Sequence, residues 1–147
     1  MKINLKSFDL IKDKIQKFKV FNKYRFNKEY LEHNIKKKIT KRRKFKEIFN
    51  KILLHSFIYF LCKNSLNIGL IYYNKKNGYY FIIIDRKYRN KGYGKLALKK
   101  LINILKRKKL KLRTLVSLKN KNSFKIHENL CIYKKRYNKN FFYFKLL

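Results

Sequence analysis

Hydrophobic positions in the first part of the chain recur at helical spacing. Two stripes of this kind predict amphipathic helices within residues 10–21 and 40–53, and Thr40 is a suitable N-cap for the second helix. Their apolar members are Leu10, Ile11, Ile15, Phe18 and Phe21, followed by Phe45, Ile48, Phe49, Ile52 and Leu53. Before them, Ile3 and Leu5 alternate with polar neighbours and predict a short opening strand.

After residue 54 the spacing changes to that of strands. Six segments are short and rich in β-branched and aromatic residues, as is typical of strands. They are residues 56–63, 66–73, 79–85, 112–118, 132–137 and 141–146. The dipeptide Asn77-Gly78 predicts a turn between the second and third of them. Helical periodicity returns in residues 94–106 and 120–130.

This order of elements predicts an α/β (α+β) domain. We expect a mixed, mostly antiparallel sheet of about six or seven strands, flanked by about four helices. The sequence shows no internal repeat and no flexible linker, so we expect one domain over residues 1–147.

The charge of the chain is extreme: 42 Lys+Arg stand against 7 Asp+Glu, a formal net charge of +35. Lys, Ile, Asn, Phe and Tyr together make up 92 of the 147 residues and have codons rich in A and T, so an AT-rich genome accounts for much of the excess. The basic clusters at residues 36–44 and 106–109 would attract any polyanion at low salt, because neutralising phosphates does not depend on sequence. We therefore expect only nonspecific binding to nucleic acids.

Several other classes of protein are disfavoured. No apolar run is long enough to span a bilayer, and residues 1–5 do not resemble the start of a secretory signal, so we expect a cytoplasmic protein without a membrane partner. The two cysteines, Cys62 and Cys131, cannot form a disulfide framework or a metal site by themselves. We expect no bound metal. A homodimer is an open alternative to a monomer.

Two of the four glycines stand in the sequence Arg89-Asn90-Lys91-Gly92-Tyr93-Gly94, between an apolar strand and a helix. Glycine allows a tight turn and a close approach of the backbone to a ligand. The start of a helix presents unpaired N–H groups with a partial positive charge. Together with the nearby lysines, this arrangement suits a pyrophosphate. An ordinary glycine-containing turn is the alternative interpretation.

The same segment resembles the acetyl-CoA site of the GNAT superfamily of N-acetyltransferases. The family pattern is a strand that ends in a hydrophobic residue, four further residues, and then Arg/Gln-x-x-Gly-x-Gly/Ala. Ile84 and Arg89 reproduce this spacing. The loop does not match G-x-G-x-x-G of dinucleotide-binding proteins, nor the Gly-Lys-Ser/Thr ending of a P-loop.

A second family element follows at the expected distance. The family has Asn-x-x-Ala-x-x-x-Tyr-x-x-x-Gly-Phe, and this chain has Asn120, Ser123, His127 and Cys131-Ile132 at those positions. His127 replaces a tyrosine that protonates the departing CoA thiolate in the family. An imidazolium can donate a proton too, since its ordinary pKa of about 6.5 lies near neutrality. The alternative is that His127 has no catalytic role.

The resemblance implies that acetyl-CoA is the donor and that an amine attacks its thioester directly. It also implies a catalytic role for His127 and a set of donor-binding residues: Ile82, Ile83, Ile84, Arg89, Asn90, Lys91, Gly92, Tyr93, Gly94, Lys95 and Asn120. The base that deprotonates the amine is left open. The candidates are Glu29, Glu32, His33, His55, Tyr79, Tyr80, Asp85 and Glu128.

The acceptor is expected to be a small-molecule amine. Val20-Phe21-Asn22 and Ile39-Thr40 faintly resemble the branches of the family that acetylate nucleotide-linked amino sugars and ribosomal proteins. We favour the amino sugar. A protein N-terminus is one alternative, and a basic nucleic-acid-binding protein on a degraded acetyltransferase fold is another.

Overall fold

The computed structural model describes residues 2–7 and 56–147. The helices expected within residues 10–21 and 40–53 lie outside the described residues, as does the N-cap Thr40. The same holds for four of the candidate bases, Glu29, Glu32, His33 and His55.

The first sheet consists of four antiparallel strands that are neighbours in the order β1-β2-β3-β4. They are β1 (Asn4–Ser7), β2 (Ser56–Lys63), β3 (Leu66–Asn74) and β4 (Tyr80–Ile84). The turn from β3 to β4 contains Gly78 at φ +74°, and a Cβ there would lie 2.9 Å from the carbonyl oxygen of Lys111. Only glycine fits this position without strain, because both the backbone angle and the space exclude a side chain.

A helix connects the first sheet to the second. After a short 3-10 helix (Arg86–Tyr88), α1 runs over Tyr93–Arg107 and leads to β5 (Arg113–Ser117). Leu98, Leu101 and Leu105 recur at helical spacing on α1, and each is at most 1% exposed. Burying one leucine side chain stabilises the fold by about 1.5–3 kcal/mol, so this face of α1 holds the helix firmly in the core.

The second sheet has three antiparallel strands in the order β5-β7-β6. Between β5 and the other two strands, α2 spans Lys121–Glu128. It is followed by β6 (Tyr133–Arg136) and β7 (Phe141–Lys145). Phe124 of α2 packs edge-on against Phe142 and Phe144 of β7, with ring centroids 5.3 Å apart in both pairs. These contacts fix α2 on one face of the second sheet.

The two sheets meet at one end only. Between β4 and β5 the ladder consists of a single parallel bridge, between Tyr79 and Arg113. The amide of Arg113 also donates to the carbonyl of Gly78 at 2.9 Å. Beyond this point β4 and β5 belong to separate sheets. We call the space between residues 81–84 and 114–117 the β4–β5 gap.

One core nevertheless joins both sheets. Its deeply buried members include Ile3, Leu61, Ile68, Ile71, Tyr73, Ala97, Leu98, Leu101, Leu105, Leu112 and Phe144. The strands and helices within the described residues follow the order predicted from the sequence. Their ends agree with the predicted ends to within two residues, and β2 spans residues 56–63 as predicted.

Candidate active site

One edge of β4 bonds to β3, and these hydrogen bonds show which residues direct their peptide groups towards the gap on the other edge. The amide of Asp85 donates to the carbonyl of Ile68, and the carbonyl of Tyr79 accepts from the amide of Asn74. Because residues alternate in an antiparallel ladder, the odd-numbered residues of β4 bond to β3. The even-numbered residues therefore direct their N–H and C=O groups towards the gap.

The two ends of this edge already have partners. The Tyr80 carbonyl has a long contact of 3.5 Å with the Thr114 hydroxyl, and the Ile84 carbonyl accepts a hydrogen bond of 2.9 Å from Arg89 Nε. Ile82 lies between them with its peptide groups facing the gap. Of the three isoleucines expected to hold the pantetheine arm, Ile82 is thus the best placed. The backbone of Ile83 pairs with Leu70 of β3 instead.

The loop of residues 89–94, which we call the donor loop, follows the end of this edge. Gly92 is the N-cap of α1 and has φ +75°, a backbone conformation that favours glycine. Asn90 also has a positive φ, +58°, and its Oδ1 accepts a hydrogen bond of 3.1 Å from Asn122 at the start of α2. The donor loop is therefore held to both β4 and α2, with the first amides of α1 at its end.

Gly94 has no evident structural reason to be glycine. It lies in the first turn of α1, and a Cβ at this position would meet nothing closer than Ile84 Cδ1, at 3.6 Å. Glycine in a helix costs about 0.5–1 kcal/mol relative to alanine. The space that a Cβ would fill therefore fits a ligand that approaches the first turn of the helix closely.

The other residues expected at the donor loop divide into two groups. Lys91 and Lys95 are exposed. Arg89 and Tyr93 turn towards the protein: Arg89 bonds to the Ile84 carbonyl, and Tyr93 is 3% exposed, with Lys63 Nζ 5.7 Å from the centre of its ring. Arg89 therefore shapes the loop, while the two lysines supply its exposed positive charge.

His127 of α2 is buried against Tyr80 of β4 and Phe144 of β7. Its Nδ1 is 2.6 Å from the Ser123 carbonyl, and its Nε2 is 2.5 Å from the Tyr80 hydroxyl. A carbonyl only accepts, so Nδ1 carries the proton, and Nε2 accepts from Tyr80. The ring also packs at 5.9 Å from the Tyr80 ring and 5.7 Å from the Phe144 ring.

Burial keeps both partners of this pair uncharged. It lowers the pKa of His127, and the hydrogen bond to the Ser123 carbonyl opposes this shift only in part. Burial also raises the pKa of Tyr80 well above its ordinary value. The sequence named both residues as candidates for separate roles, and the structure joins them by a direct hydrogen bond.

Asn120, expected at the pantetheine arm, has a structural role as the N-cap of α2. Its Oδ1 accepts a hydrogen bond of 3.1 Å from the Ser123 amide. Of the candidate bases within the described residues, Glu128 is exposed and pairs with Lys134. Asp85 is the N-cap of the 3-10 helix. Tyr79 lies against the Arg113 guanidinium, 5.1 Å from ring centre to Cζ.

Within residues 2–7 and 56–147, no three His, Cys, Asp or Glu side chains come together in a way that could hold a metal ion. Among these same residues, no helix combines the length and the apolar character that crossing a membrane requires.

Comparison with known families and structures gives a consistent result. The model of a family described as the acetyltransferase (GNAT) family matches residues 24–131. No curated protein sequence matches the chain significantly.

Three solved structures illustrate the likeness of fold. Spermidine N-acetyltransferase from Vibrio cholerae, in complex with CoA and spermine, has a TM-score of 0.72 at 12% identity, with 98% of this chain and 95% of that one covered. The N-acetyltransferase PseH from Campylobacter jejuni has a TM-score of 0.65 at 19% identity, with 98% and 96% covered. PseH in complex with acetyl coenzyme A has a TM-score of 0.62 at 19% identity, with 99% and 98% covered. The GNAT-like fold expected from the sequence is confirmed.

Proposed function

Because the chain belongs to the acetyltransferase (GNAT) family, we propose that it transfers the acetyl group of acetyl-CoA to the amine of a nucleotide-linked amino sugar. The observation that carries the donor assignment is the β4–β5 gap with the donor loop at its open end. There the edge of β4, with its peptide groups facing the gap, leads to the N-terminus of α1. The strand edge suits the extended amide arm of CoA, and the helix N-terminus suits the pyrophosphate joined to that arm. We also propose that the protein acts in the cytoplasm.

In this proposal the donor is held mainly by backbone groups. The peptide groups of Ile82 bond to the pantetheine amides as a neighbouring strand would. The amides of the donor loop and of the first turn of α1 bind the pyrophosphate, and Lys91 and Lys95 add positive charge. Arg89 and Asn90 hold the loop in shape, and Asn120 holds the start of α2.

The amine nitrogen attacks the thioester carbon, so that a C–N bond forms while the C–S bond breaks. The amine loses a proton, and the CoA thiolate must gain one. We propose that His127 supplies the latter proton together with Tyr80. Because the folded protein keeps His127 neutral with its proton on Nδ1, Nε2 first takes up the proton that the amine releases. The Tyr80 hydroxyl then gives its proton to sulfur and takes this proton from Nε2. This role accounts for a hydrogen bond of 2.5 Å between the two side chains at the position of the family's tyrosine.

Charge distinguishes among the acceptors. The formal net charge of +35 repels cations over the whole molecular surface and attracts anions. A polyamine or a basic protein N-terminus approaches against this field, whereas an amino sugar linked to a nucleotide carries phosphates that are drawn by it. The field therefore favours the nucleotide-linked acceptor over the other two.

The test is a side-by-side assay of four acceptors at about 0.15 M salt. They are a nucleotide-linked amino sugar, the same amino sugar without its nucleotide, spermidine, and a basic peptide with a free N-terminus. We expect the highest kcat/KM for the nucleotide-linked sugar, and a smaller advantage as salt screens the field. Transfer to spermidine or to the peptide alone would refute the acceptor. Absence of acetyl-CoA binding would refute the donor.

A further inference from the structure

A groove of about 730 Å³ opens on the second sheet. It lies on the face opposite α2, because Phe142 and Phe144 of β7 pack on α2 while the groove is lined by Tyr143 and Lys145. The side chains at its rim are unusually exposed for large apolar groups: Tyr133 is 51% exposed and Ile132 is 67% exposed. Such an exposed aromatic surface is characteristic of a binding site.

The strand register places like charges side by side on this face. Arg113 of β5 lies directly opposite Lys145 of β7, which in turn lies opposite Tyr133 of β6. Like charges at directly opposite positions destabilise a sheet unless something offsets them. No acidic side chain lines the groove, so an anion bound between Arg113 and Lys145 would remove this repulsion.

Aromatic rings stand beside these cations. In the next row of the register Tyr143 lies opposite Lys135, whose Nζ is 5.9 Å from the centre of the tyrosine ring. The rings of Tyr133 and Tyr143 are 6.4 Å apart and are inclined by 63°. A cationic pair next to exposed aromatic rings offers a phosphate site and a surface for stacking a base.

The groove also lies at the closed end of the β4–β5 gap, opposite the end that leads to the donor loop. Two of its lining residues, Tyr79 and Arg113, form the bridge that closes the gap. The donor loop follows Ile84, at the other end of β4. A ligand in the groove therefore approaches the gap from the end opposite to the donor, as a second substrate must.

We infer that this groove binds the nucleoside diphosphate part of the acceptor, with the diphosphate at Arg113 and Lys145 and the base against Tyr133 and Tyr143. This inference rests on the proposed function. The volume of the groove falls in the range of small-molecule sites, whereas single-stranded nucleic acids need a track of about four or more nucleotides. A second copy of this chain would set the same cations against each other.

The experiment measures binding of uridine diphosphate by calorimetry at about 0.15 M salt, with CoA at saturation so that the donor loop is occupied. The test variant is Tyr133→Leu/Lys145→Gln, since both side chains are exposed and can change without disturbing the core. The matched control is Lys139→Gln, an exposed lysine of the β6–β7 turn that does not line the groove. Affinity for CoA and thermal stability are measured for all three proteins.

We expect the double variant to weaken binding of uridine diphosphate at least about tenfold, since loss of stacking alone is worth roughly that factor. The control should stay within about twofold, and the affinity for CoA should not change. The inference is overturned if uridine diphosphate does not bind, or binds equally to wild type and to the double variant. It is likewise overturned if the double variant, and not the control, weakens binding of a long oligonucleotide more than binding of uridine diphosphate, or if the double variant dissociates a dimer.

Acetyl transfer separates this inference from the proposed function. If wild type acetylates a nucleotide-linked amino sugar and the double variant has an unchanged KM for it, the function stands and the groove assignment fails. If uridine diphosphate binds in the groove but no nucleotide-linked amino sugar is acetylated, the groove assignment stands and the proposed acceptor fails. A raised KM for the acceptor at unchanged kcat supports both.

Discussion

Replacing Gly94 by alanine should separate the stability of the fold from the binding of the donor. In the structure this position has room for a methyl group, because the nearest heavy atom to an added Cβ would be Ile84 Cδ1, at 3.6 Å. Gly94 also has no positive φ. The substitution therefore leaves the free protein unstrained and places its methyl group in the space that we assign to the pyrophosphate.

The two expected effects have opposite signs. Gly→Ala at a compatible helical position raises the free energy of unfolding by about 0.4–1 kcal/mol. The affinity for CoA should fall, because the methyl group holds the phosphate away from the amides of the first turn. Losing one hydrogen bond to a charged group costs about 1.5–3 kcal/mol, which corresponds to a roughly 10- to 150-fold increase in Kd.

Calorimetric titration measures the affinity for CoA, at a salt concentration high enough to suppress nonspecific attraction to the basic chain. Urea unfolding measures the change in the free energy of unfolding. The matched control is Asn103→Ala, an exposed position on α1 that lies away from the donor loop. The control should also gain stability from the higher helix propensity of alanine, and it should bind CoA as wild type does.

The reasoning is refuted if Gly94→Ala folds normally and binds CoA within about twofold of wild type. Gly92 cannot serve this purpose. Its φ of +75° strains any other residue, so lost binding in a Gly92 variant would not distinguish a damaged site from a damaged loop.

Three further predictions concern His127, Tyr80 and the net charge. Since burial lowers the pKa of His127, the unfolded chain binds more protons than the folded chain between that lowered pKa and about 6.5. The free energy of unfolding should therefore rise with pH across this interval. Urea titrations at several pH values should show that the free energy of unfolding of His127→Phe rises less steeply with pH than that of wild type. Tyr80→Phe and His127→Phe should each lower kcat and the free energy of unfolding. In a double-mutant cycle, the double variant should be more stable than the sum of the two single losses predicts, by about 0.5–3 kcal/mol. Additive losses in stability would contradict the hydrogen bond, and an unchanged kcat in either single variant would contradict the proposed proton transfer. Affinity for DNA should collapse between low and physiological salt without sequence preference, and a specificity ratio above roughly 10³ in filter-binding or fluorescence titrations would disprove this.

Most of the fold within the described residues could be predicted from the sequence because its signals are local. Alternating apolar residues, the Asn77-Gly78 turn and the helical stripe of α1 each act over a few residues. The donor loop could be found for the same reason, since its glycines stand directly between a strand and a helix. The division of the strands into two sheets could not be predicted from the sequence, because it depends on which strand edges pair, and no local pattern encodes that pairing.

The contacts that complete the candidate site connect distant parts of the chain. Tyr80 and His127 are 47 positions apart, and Asn90 and Asn122 are 32 apart. Nothing in the sequence around either residue of a pair specifies its partner. Likewise, the sequence alone does not distinguish the roles of Gly92 and Gly94. The positive φ of Gly92 shows that it shapes the loop, and the open space at Gly94 shows that it leaves room for a ligand.

The single bridge between Tyr79 and Arg113 has a consequence for amide hydrogen exchange. With so little ladder between the sheets, the Ile82 amide should exchange quickly in the free protein, while amides in the middle of β3, which has a partner strand on each side, exchange slowly. A donor that bonds to the strand edge takes the place of the missing neighbour. Its binding should therefore protect Ile82 far more than the middle of β3, and it should make the two sheets open as one cooperative unit.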